Sequence, residues 1–220
     1  MTMASPSPLL YDTYYHIYNR GINRENIFIE ERNYAHFLNL YTQYIEPITD
    51  TFAYCLLKNH FHVSLRTQSE AETLQVFTED MERKKKRNPG KPLDLEHERL
   101  YYLSQKFSDF FNAYAKAINH AYGRTGSLFQ HPFGRVMITS DMQFSRVIAY
   151  IHQNPQKHKF VEDFRDWKYS SYGAMLSEKP THLKRDVVLD WFGGKEQYLN
   201  LHAKWVMDEQ SSTFAGDDYD

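Results

Sequence analysis

The chain holds a single cysteine, Cys55, among 220 residues, which excludes an internal disulfide framework and leaves the fold to its core. Cys55 lies in the apolar run AYCLL and reads as a small buried hydrophobe. No apolar run reaches the roughly 18 to 20 residues that cross a bilayer. The opening MTMASPSPLL also lacks the basic region and long apolar stretch of a secretory leader. A soluble, cytoplasmic protein with no membrane partner is expected. Internal repeats are absent too, and a second full domain would be cramped at this length, so one domain with an appendage is expected.

Net positive charge is missing from the whole chain, at −2, but the acids are unevenly placed. Residues 208–220 carry Asp208, Glu209, Asp217, Asp218 and Asp220 with no Lys or Arg, and without them the sum becomes +3. The body is therefore mildly basic and compatible with a nucleic-acid partner. Aromatic side chains, by contrast, are plentiful: 17 tyrosines and 15 phenylalanines can fill a core or stack on unpaired bases.

Alternation in TYYHIYN predicts a strand over 13–19, and Tyr34, Phe37, Leu38, Tyr41 and Ile45 mark a helix over about 30–45. Two further strands are read at 51–57 and in HFHVSLRT. Leu74, Phe77 and Met81 stripe a helix over 69–82, after which RKKKRNPGKP reads as a basic loop over 83–92. A long core helix is expected over 97–122, a strand near 133–139, and a helix capped by Ser140 and Asp141 and ended by Pro155. This order does not alternate as a doubly wound sheet would. It predicts an α+β fold, an antiparallel sheet with helices packed on one face.

His60 and His62 stand two apart on a predicted strand, so both imidazoles leave the same face, partly exposed, and could grip one divalent cation. Such a pair also arises by chance, and a third ligand is needed. On the last helix Tyr150 and Asn154 project together on a flank of the stripe made by Phe144, Val147, Ile148 and Ile151. Asn154 offers an amide oxygen to a hard cation and Tyr150 a phenolic nucleophile. From spacing alone, a core-edge tyrosine and a capping asparagine remain open for this pair.

Four stretches carry a resemblance: YYHIYNRG at 14–21, YCLLKNHFHVSL at 54–65, GRTGSLFQHPFGRV at 123–136 and AYIHQNPQKHKFVEDFRDWKYSSYGAML at 149–176. Together they resemble the REP-associated tyrosine transposase branch of the single-tyrosine HUH transposases. The resemblance implies a ferredoxin- or RRM-like HUH core, with His60 and His62 as metal ligands, Tyr150 as nucleophile and Asn154 assisting the metal. It also implies Mg²⁺ or Mn²⁺ as cofactor and single-stranded or hairpin DNA as partner. The implied reaction is cleavage and strand transfer through a covalent 5′-phosphotyrosine. Lys58 departs from the proline common before the family's Asn-His pair, without touching the ligand set.

On this reading residues 1–176 form the catalytic domain, with 83–92 as an insertion, 177–207 as a helical extension and 208–220 as a disordered acidic tail. Arg20, Lys58, Lys84, Lys85, Arg124 and Arg135 are candidate phosphate contacts. Monomer and homodimer both stay open. Two rival functions also stay open: a catalytically idle single-stranded nucleic-acid-binding module, and a metal-dependent phosphodiesterase that uses water.

Overall fold

The computed structural model describes residues 7–207, so the expected acidic tail at 208–220 lies outside the described residues. Strands β1 (Tyr14–Arg20), β2 (Thr49–Leu56), β3 (His60–Thr67) and β4 (Gly134–Met137) form one sheet in the order β2-β3-β1-β4. Every neighbouring pair is antiparallel. Helix α1 (Glu31–Tyr44) joins β1 to β2, while α2 (Glu70–Arg87) and α3 (Leu95–Tyr122) join β3 to β4. The β1-α1-β2-β3-α3-β4 succession is the ferredoxin-like arrangement.

Strand periodicity divides the interior in two. Tyr15 and Ile17 of β1 and Phe61, Val63 and Leu65 of β3 pack with Phe37 of α1 and Phe107, Phe110 and Tyr114 of α3. On the other face Ala53 and Cys55 meet Phe144, Val147, Ile148 and Ile151 of α4 (Asp141–Lys157). A register shift between Thr51 and Ala53 lets β2 contribute Phe52 to this second core as well. The expectation of helices on one face thus describes α1 and α3 only. The second face is also covered, because strands apolar on both sides need cover on both.

The expected C-terminal extension is helical, comprising α6 (Arg185–Phe192) and α7 (Lys195–Met207) after the short α5 (Tyr172–Leu176). It is not a loose appendage. Val188, Phe192 and Tyr198 are buried in the second core beside Phe144 and Ile148. A buried chain of hydrogen bonds ties it down further: Ser171 Oγ accepts from Tyr54 N at 2.8 Å and lies 2.8 Å from His152 Nε2. His152 Nδ1 lies 2.9 Å from His202 Nε2, and His202 Nδ1 lies 2.8 Å from the Tyr198 carbonyl. A carbonyl only accepts, so His202 carries its proton on Nδ1 and its Nε2 accepts from His152 Nδ1–H. His152 Nε2 is then an acceptor for the Ser171 hydroxyl at 2.8 Å, a shorter contact than the one this hydroxyl makes to the Tyr54 carbonyl at 3.2 Å.

Two helix ends differ from expectation. The basic run is not a loop from residue 83, because α2 continues to Arg87. Lys and Arg are good helix formers and sit well at the negative end of the helix dipole. Arg83 also pairs with Glu79 one turn back at 3.1 Å. The break comes only with Asn88, Pro89 and Gly90. Pro155 likewise does not end α4, which runs to Lys157. Proline forfeits one backbone donor and leaves the following residues free to keep their bonds, as His158 N does to the Asn154 carbonyl at 3.0 Å.

Candidate active site

His60 and His62 leave β3 on the face that α4 covers, opposite Phe61 and Val63. Partial exposure is not what the fold provides: they are only 6% and 4% exposed, because α4 lies across them. Burial and the neighbouring histidines and Arg20 depress both pKa values, that of His60 to about 3, so both rings are neutral at pH 7.

Asn154, fully buried, brings Oδ1 to 3.4 Å from His60 Nε2 across 94 residues of sequence. The other ring nitrogen, His60 Nδ1, lies 2.7 Å from Asn59 Oδ1. An amide oxygen accepts only, so Nδ1 carries the proton and Nε2 faces Asn154 Oδ1 with a lone pair. Two acceptors aimed at each other fit a shared cation better than a hydrogen bond. Their 3.4 Å separation would let both atoms hold one divalent ion. Among the described residues no three His, Cys, Asp or Glu side chains form a metal-holding group. His60 and Asn154 meet, and the His62 ring lies 5.1 Å from that of His60, so two imidazoles and one amide could hold a divalent ion between them.

Tyr150, one turn before Asn154, packs edge-on against His62 with ring centroids 5.5 Å apart, and against His16 at 5.9 Å. The Lys157 ammonium sits 5.1 Å from the Tyr150 ring centroid, and the His158 ring lies 4.8 Å from that of His60. Residues 150, 154, 157 and 158 thus form one stripe at helical spacing. Lys157 and His158 escape a sequence reading that ends the helix at Pro155.

His16 also escapes it. It is 1% exposed, and its Nε2 lies 3.0 Å from His62 Nδ1, the two rings stacked at 5.1 Å. Tyr18 completes this patch, 5.8 Å from His62, and its ring lies over Gly134, where an added Cβ would come within 2.1 Å of it. The signal was the alternation of TYYHIYN, which puts His16 and Tyr18 on one face without saying what that face meets.

The six candidate phosphate contacts do not gather. Arg20 pairs with His60 across β1 and β3 and is largely buried, and Lys58 is exposed in the turn just before His60. Lys84 is ion-paired to Glu98, and Lys85 is exposed beside it on α2. Arg124 is ion-paired to Glu25 and donates to Asn119 Oδ1. Arg135 pairs with Ile17, which faces the first core, so it projects on the sheet face away from the histidines. Its guanidinium lies 4.0 Å from the Phe133 ring centroid and donates to the Ser7 carbonyl.

No family model matches the chain. A protein of Haemophilus influenzae (strain ATCC 51907 / DSM 11121 / KW20 / Rd) named "Putative REP-associated tyrosine transposase" is 24% identical over 126 residues, 56% of this chain. The matched stretch spans 58% of that relative's length. A solved structure of a REP-associated tyrosine transposase bound to a REP hairpin is similar in fold, with a TM-score of 0.51 and 17% identity. That similarity covers 82% of this chain and 89% of the other. The resemblance drawn from the four stretches is thus met in a curated relative and in the fold.

Proposed function

We propose that this chain, a relative of the REP-associated tyrosine transposases in sequence and fold, cuts and rejoins single-stranded DNA at a hairpin with Tyr150 as nucleophile. The observation that carries the reading is the approach of His60 Nε2 and Asn154 Oδ1 to 3.4 Å beside a tyrosine ring packed on His62. His60, His62 and Asn154 would hold the divalent ion, and Mg²⁺ or Mn²⁺ suits substrate oxygens. When bound, such an ion polarises the scissile phosphate and offsets the charge that develops on it.

The protein's own groups do the rest. Tyr150 Oη attacks phosphorus, the bond from phosphorus to the 3′-oxygen breaks, and a 5′-phosphotyrosine and a 3′-hydroxyl result. The proton lost by the phenol is balanced by the one the leaving oxygen gains. Because the phosphodiester energy is kept in the tyrosine ester, attack by another 3′-hydroxyl reverses the step and joins a new strand. The stripe on α4 holds Tyr150 by its backbone and by Lys157, while the buried sheet face limits competing water. Arg20 and Lys58, the candidate cations beside the histidines, are suited to positioning the backbone.

The test is incubation with a labelled hairpin oligonucleotide carrying single-stranded flanks, with Mn²⁺, followed by a denaturing gel. A covalent adduct is expected for the native chain and none for Tyr150→Phe, with the fold unchanged. Cleavage without an adduct would establish the water-using phosphodiesterase instead. Binding without cleavage would leave only a nucleic-acid-binding module.

A further inference from the structure

We infer that His16 is a positioning residue that sets the tautomer of His62, so that His62 presents a bare Nε2 to the divalent ion; the inference rests on the metal reading above. A neutral imidazole has one nitrogen that donates and one that accepts, and only the latter can bind a metal. His62 Nδ1 is occupied by the contact to His16 Nε2 at 3.0 Å, which leaves Nε2 as the ligand atom. Two proton placements satisfy that contact. If His16 donated, His62 would carry its own proton on Nε2 and could not be a ligand. If His62 Nδ1–H donates to a bare His16 Nε2, the His62 Nε2 lone pair is free.

The second placement makes the two ligand histidines equivalent. His60 donates Nδ1–H to Asn59 Oδ1 and His62 donates Nδ1–H to His16 Nε2, so both reach out with Nε2. Outer partners of this kind fix ring orientation and raise ligand basicity. The surroundings hold His16 in register: it sits on β1 across from Ser64, is 1% exposed, and is stacked on His62 with Tyr18 and Tyr150 at its edges. A ring so enclosed has little freedom to turn its Nε2 elsewhere. His16 is placed to contact neither ion nor substrate, and acts only through His62.

The test uses the full chain and Co²⁺, read by its visible absorption during titration. His16→Leu, close in size but without an acceptor, is expected to weaken Co²⁺ binding about 10- to 100-fold. His16→Gln places an amide oxygen near the position of Nε2 and should restore binding to within about threefold of native, while His60→Ala should abolish it. Long-range ¹⁵N–¹H correlation on the unmodified, metal-free chain reads the tautomer directly, with Nδ1 protonated and Nε2 bare expected on His62. Native affinity in a folded His16→Leu, or a His62 protonated on Nε2, would overturn the inference and leave the metal reading intact. Absence of Co²⁺ binding by the native chain would instead overturn the metal reading. If His16→Leu does not fold, the tautomer measurement decides.

Discussion

Acid should unfold the metal-free protein well above the pH at which carboxylates usually do so. Five histidines, His16, His60, His62, His152 and His202, are between 0% and 6% exposed. Burial lowers the pKa of each, to about 3 for His16 and His60 and about 4 for His202, and well below the ordinary value of 6.5 for His62 and His152. A depressed histidine stabilises the fold while neutral, fully above the unfolded value and progressively less as pH falls toward the folded one. Between pH 6.5 and about 4 the unfolded chain therefore binds more protons, and stability falls with pH. At pH 5.5 the loss is on the order of 1 kcal/mol for each ring that stays neutral and several kcal/mol for the group, against a typical total of about 5–15 kcal/mol. Urea unfolding followed by tryptophan fluorescence in the presence of chelator, at pH 7.5, 6.5 and 5.5, measures this directly. A loss of about 2 kcal/mol or less between the extremes would refute the claim that these rings are buried and neutral.

Ser171→Ala removes the hydroxyl that accepts from Tyr54 N and faces His152 Nε2, leaving two buried polar groups unmatched. It should destabilise the fold by roughly 2–4 kcal/mol in the same urea assay, and a loss under about 1 kcal/mol would count against the hydrogen-bond chain. Gly134→Ala puts a methyl group against the buried Tyr18 ring and should cost about 1–3 kcal/mol, read as a lowered melting temperature. Since Tyr18 lies against His62, the same substitution should also slow adduct formation under the proposed mechanism, measured by gel at a temperature where the variant stays folded.

The elements that were plain in the sequence are those whose period is enforced by burial. β3 alternates because one face meets Phe37 and Phe110 while the other meets α4, and α4 carries an apolar stripe that fixes where Tyr150 and Asn154 point. That was enough to bring His60, His62, Tyr150 and Asn154 to one place on paper. His16 was not legible, because its meaning depends on the register that sets β1 against β3, and register is a property of two strands rather than one. Lys157 and His158 were hidden by treating Pro155 as a terminator when it costs a single donor near the helix end. The stretch over 83–87 is helical for a related reason: a run of like charges looks like a solvated loop, yet it can end a helix as readily as follow one. Arg124 and Arg135 illustrate the limit for surface chemistry, since composition does not reveal which cations are already engaged.

Tyr150 rests on His62 within a single polypeptide, held there by the packing of α4 on its own sheet. If these residues are the catalytic set, as proposed, each folded chain would carry the whole of it. Under the proposed mechanism, turnover would scale linearly with protein dose down to the lowest concentrations. In a cell carrying two alleles, one broken at the tyrosine and the other at a histidine, neither product could repair the other, and an excess of dead protein would compete for DNA without poisoning the live molecules from within.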